Sequence, residues 1–74
     1  MAARKNFAVV IEKVPDSNYA AYVPDLPGCV STGNTREEVE RNIRGAIAFH
    51  IEGMAEDGDP VPEPGTRVFY VEVM

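Results

Sequence analysis

Only one stretch of this 74-residue chain carries helical periodicity, and that fact limits the fold before any other. Beyond Thr35, the residues Val39, Ile43, Ala46, Ile47, His50, Ile51 and Met54 recur at i, i+4, i+7 and i+8, the spacing that puts side chains on one helical face. Thr35-Arg36-Glu37-Glu38 fits a capping box, in which the Thr hydroxyl and the Glu carboxylate satisfy backbone donors that the first turn leaves unpaired. The helix is expected to stop near Glu56 to Gly58. Asp59 to Gly65 then places prolines at 60, 62 and 64, which makes an extended, stiff connector.

Everything else reads as strand or turn. Asn6 to Val14 is rich in β-branched residues and predicts the first strand. Pro15-Asp16-Ser17-Asn18 predicts a turn, because Pro presets φ and the polar side chains bond back to nearby backbone. Tyr19 to Val23 is the returning strand. Pro24 and Pro27 then interrupt pairing, since neither has an N–H for the ladder. A short strand at about Cys29 to Thr32 follows, and Arg67 to Val73 predicts the last one. The expected fold class is α/β (α+β): one domain over residues 1–74, in the order β-β-β-α-β. In it a four-stranded mixed sheet carries one helix on one face. The last strand would lie beside the first through a right-handed crossover.

That arrangement leaves a surplus of apolar surface. In the first strand Phe7, Val9 and Ile11 alternate with Ala8, Val10 and Val14, and in the last Phe69, Val71 and Val73 alternate with Val68 and Tyr70. Both sheet faces are therefore largely apolar, and one helix covers only one of them. A second copy of the chain, as a homodimer or higher oligomer, is the simplest cover. Short domains without disulfides are often stabilised in that way. Phe49 falls off the apolar stripe beside Gly45, either packed on the rim of its own core or under the proline connector, or presented as a docking spot.

Composition narrows the function. Hydrophobic residues make up 45% of the chain and charged residues 26%, an ordinary globular balance. The net charge of −5 repels phosphate backbones, so nucleic acid is not an expected partner and a basic protein is favoured. No apolar run approaches the roughly 20 residues that span a bilayer, so no membrane partner is expected. Met1 to Asn6 carries no export signal, and the single Cys29 suits a reducing cytoplasm.

Chemistry is poorly supported, and no catalytic residue, metal site or cofactor is assigned. Glu12 and Glu72 would be neighbours if the first and last strands paired in parallel. They lack a facing helix carboxylate, and two-metal hydrolysis needs clustered acids. His50, the only histidine, lies on the core-facing stripe with no second ligand beside it. Cys29 has no neighbouring base and reads as a small core residue. The glycines occur singly, without a phosphate-cradling loop.

The stretch Tyr22-Val23-Pro24-Asp25-Leu26-Pro27-Gly28-Cys29, then Gly33, then Thr35 and Glu38 entering an amphipathic helix, resembles the HicB-like antitoxin family. The likeness extends over about residues 6 to 73, including Val10-Ile11-Glu12 and the order of helix, proline connector and strand. It implies a partial ribonuclease H-like fold that has lost the acidic catalytic set. It also implies a non-catalytic role: binding and neutralising HicA, a small basic RNA-cleaving toxin. Many members add a C-terminal DNA-binding module. Met74 follows directly on the last expected strand, so DNA is not an expected partner. The alternative is a stand-alone homo-oligomeric module with no toxin. Glu12, Tyr22, Asp25 and Phe49 are the candidate partner contacts, although Asp25 would equally cap its own loop.

Overall fold

The computed structural model describes residues 5–74. Three short strands, β1 (Val10–Lys13), β2 (Tyr19–Tyr22) and β3 (Val30–Gly33), form an antiparallel sheet in the order β1-β2-β3. One helix, α1 (Arg36–Glu56), packs mainly against β3 and β2. Pairing sets Ile11 opposite Ala21 and Ala21 opposite Ser31, so these three share one face of the sheet. That face meets the helix. The core consists of Ala21, Val23, Leu26, Cys29, Val39 and Ile43, and Phe7, Val9, Ile11, Tyr19, Ala46 and Ile47 pack at its margin.

The proline-bracketed loop is two β-turns end to end. Leu26 N–H donates to Val23 O and Cys29 N–H to Leu26 O, while Val23 N–H donates to Cys29 O and closes the loop. Pro24 and Pro27 each occupy the second position of a turn, where a fixed φ helps and no donor is needed. Gly28 follows with φ +84°, the left-handed conformation that glycine adopts most cheaply. Leu26, shared by both turns, is only 1% exposed and anchors the loop in the core. Pairing of β1 with β2 starts at Val10 rather than at Asn6, because β2 gives way to the turn at Pro24 just after Tyr22 and Val23.

The helix begins as its sequence predicts. Thr35 is the N-cap and its Oγ1 accepts from Glu38 N–H at 3.0 Å. The Glu38 carboxylate returns to the N–H of Asn34, at 3.0 Å, one residue earlier than the usual box. Val39, Ile43, Ala46, Ile47, His50, Ile51 and Met54 are all buried or half-buried. At the far end Gly58 (φ +75°) donates to Ala55 O and Asp59 to Met54 O, the paired bonds of a Schellman cap.

The sheet departs from expectation at its fourth strand. Among the described residues it has three strands, not four, and it is antiparallel rather than mixed. Arg67 to Met74 is exposed throughout and pairs with no strand. The radius of gyration, 14.1 Å, exceeds the roughly 11 Å of a compact chain of this length. Asp25 takes hold of Gly65 and Thr66 at the end of the proline connector, and the last segment then runs past β1, with Tyr70 near Val9, Ile11 and Lys13, without pairing to it.

Candidate functional site

The four candidate contact residues do not converge on one surface. Glu12 and Tyr22 share the outer sheet face, because Val10 pairs with Tyr22 and Glu12 with Ala20. Tyr22 is 42% exposed there and Val30, its partner on β3, 64%. Together with Ala8, Val10 and Ala20, which are half-buried, they form a mixed apolar and acidic patch that the helix never reaches. Phe49 lies on the helix, on the other side of the sheet, and is 79% exposed. It does not pack on the rim of its own core. The space above Gly45 is open.

Asp25 has a different role. Its Oδ2 accepts from Gly65 N–H at 3.1 Å and Thr66 N–H at 3.0 Å, and its Oδ1 from the Thr66 hydroxyl at 3.0 Å. It caps the distant connector, not its own loop. The bond from the Thr66 backbone, with those from the Thr66 hydroxyl and Gly65, holds the carboxyl below its ordinary range, against a smaller opposing effect of burial. Lys5 reinforces the same tie, donating to Val61 O at 3.1 Å and lying 3.1 Å from the Glu63 carboxylate. No pattern within one segment announces a contact across 40 residues. A proline-flanked acid was the only signal available.

Charge is unevenly placed. Glu52, Glu56, Asp57 and Asp59 are all exposed around the C-terminal end of α1, and no basic residue lies in its last turn. Acids at that end oppose the helix dipole, which carries partial negative charge there. Glu72 lies in the unpaired segment and Glu12 on β1, so the parallel strand pairing expected to make them neighbours is absent among the described residues. No group of three or more potential metal ligands clusters among the described residues. Cys29 is buried, which pushes its thiol pKa up and leaves it poorly suited to attack. No described helix is long and apolar enough to cross a membrane.

The sequence also conceals an open edge. With no fourth strand, a cleft of about 430 Å³ separates β1 from α1, floored by Val9, Ile11, Ile43 and Ile47 with Arg36 and Arg44 at its rim. Next to it, Lys13 braces the β1–β2 hairpin, donating to Val14 O and Ser17 O and lying 5.6 Å over the Tyr19 ring.

Residues 7–71 match the HicB-like antitoxin family of bacterial toxin–antitoxin systems. A protein of Haemophilus phage HP1, from the rep-hol intergenic region, is 49% identical over 88% of this chain and 48% of its own length. A UPF0150 protein of Synechocystis is 43% identical over 78% of this chain and 73% of its own length. Antitoxin HicB 1 of Photorhabdus laumondii is 32% identical over 80% of this chain and 38% of its own length. The chain thus spans about half the length of the phage protein and less of the Photorhabdus antitoxin. Among solved structures, a chain of the HicA3 and HicB3 toxin–antitoxin complex superposes with a TM-score of 0.68 at 33% identity, covering 82% of this chain and 70% of that one. The double-turn loop, the capped helix and these matches agree: this chain belongs to the HicB-like antitoxin family of bacterial toxin–antitoxin systems.

Proposed function

We propose that this protein is an antitoxin that binds and neutralises a small, basic, RNA-cleaving toxin of the HicA type in the cytoplasm. The observation that carries the reading is the likeness to a chain taken from a toxin–antitoxin complex, at 33% identity over most of this chain. Charge supports it. The net charge of −5 and the uncompensated acids around the end of α1 favour a basic partner, speed its approach and compete with RNA for its surface. Glu12, Tyr22 and Phe49 are exposed and available as contacts, whereas the Asp25 carboxylate is committed to the connector.

The test is inhibition. A basic protein encoded beside this one is purified and its RNA cleavage measured with increasing amounts of this chain. Stoichiometric inhibition that weakens as salt rises is the expected result. Undiminished cleavage at a molar excess of this chain refutes the proposal. A stand-alone homo-oligomeric module is the second reading, favoured by the unpaired segment and the open sheet edge within one chain.

A further inference from the structure

We infer that residues Arg67–Val73 of one copy of this chain add as a strand along the free edge of β1 in a second copy, and that the exchange is reciprocal. This deepens the self-association reading and does not depend on a toxin.

β1 is an edge strand among the described residues, so alternate residues along it turn their N–H and C=O groups away from β2 with no strand to receive them. The core is also unfinished on that side. Its fully buried members come from β2, the double-turn loop, the loop's exit and the helix, while Val9 and Ile11 remain half-exposed beside the cleft. A strand added there would satisfy the edge and close the cleft together.

The same chain carries a strand in want of a sheet. Phe69, Val71 and Val73 alternate with Val68, Tyr70 and Glu72, so one face is wholly apolar and matches the cleft floor. Phe69 is 83% and Tyr70 94% exposed, far more than isolated surface aromatics need to be. Burying about half of the segment's apolar surface, with equal area on the receiving edge and in both directions, removes on the order of 1,000 Å². That reaches the lower range of specific protein interfaces.

The hinge favours a second copy over the chain's own β1. Prolines 60, 62 and 64 stiffen the connector, and Asp25 and Lys5 pin it along its length. Tyr70 borders a hollow beside Val9, Ile11 and Lys13 and yet stays exposed, so the segment passes its own sheet without pairing. Constrained hinges of this kind promote exchange of identical elements between copies.

The experiment uses the whole chain alone. Sedimentation velocity at tens of micromolar should show a dimer or an even-numbered larger species. Val71→Pro, which removes a strand donor and clashes with pairing, should yield a monomer with the same far-ultraviolet spectrum in its helical region. In a Cys29→Ala background, Val10→Cys and Tyr70→Cys, which would lie on the same outer face, are placed on separate chains, refolded together and treated with a short bismaleimide, with both on one chain as a second sample. A cross-linked pair containing one chain of each kind, absent when either is treated alone, supports the exchange. A monomeric wild type, a dimer that survives Val71→Pro, or cross-linking confined to single chains carrying both cysteines overturns it. None of these readouts involves RNA cleavage, so the inference can fail while the antitoxin reading stands, and the reverse.

Discussion

Replacing Gly33 by Ala tests the junction on which the fold rests. An added Cβ would lie 2.5 Å from Val39 N, 2.8 Å from Val39 Cα and 3.0 Å from the Glu38 carbonyl carbon. All three are backbone atoms, so no side chain can swing aside. The N-terminus of α1 must retreat by roughly 1 Å to restore ordinary contact, and small-to-large changes in packed sites cost about 1–3 kcal/mol, occasionally more. The retreat also pulls Val39 and Ile43, 0% and 3% exposed, from the core and strains the Thr35–Glu38 cap. Alanine returns only about 0.4–1 kcal/mol by restricting the unfolded chain. A net loss of about 2 kcal/mol is expected, a large share of the stability of so small a domain. Urea unfolding followed by circular dichroism at one fixed protein concentration measures it, since self-association shifts apparent stability. Gly45→Ala is the control, because its Cβ meets nothing and helix propensity favours alanine by about 1 kcal/mol. If Gly33→Ala unfolds within 0.5 kcal/mol or so of the wild type while Gly45→Ala stabilises, the close approach at Gly33 does not hold the helix.

Two further outcomes follow from the ionisable groups. Asp25 titrates below its ordinary value of 3.8 because the ionised form accepts three hydrogen bonds, so it stabilises the fold above that value and the contribution fades as pH falls through the lower folded pKa. Acid unfolding of Asp25→Asn should lose this component of the pH dependence, and unchanged curves for wild type and variant would contradict the tie. The Cys29 thiol, buried and raised in pKa, should react with a thiol reagent at neutral pH only as fast as the protein opens, and rapid native labelling would place it at the surface.

Much of the architecture is legible in residue order. The helix start at Thr35, the stripe from Val39 to Met54 and the turns at Pro24, Pro27 and Gly28 depend on neighbours within a few positions, where propensity and hydrogen-bonding chemistry act directly. The likeness to the HicB-like family, which spans residues 7–71, includes these local motifs. The apolar surplus on both sheet faces is legible too, because alternation alone assigns residues to faces.

What the chain does at long range is decided only in three dimensions. Asp25 binding Thr66, Lys5 meeting Glu63 and Gly33 yielding room to Val39 each join segments whose proximity no local pattern encodes. The last segment is the clearest case. Its sequence makes Arg67–Val73 a strand, and strand propensity is a statement about side chains on a pleated surface. A strand exists only where a second backbone supplies its hydrogen bonds, and among the described residues of this chain none is paired with that segment.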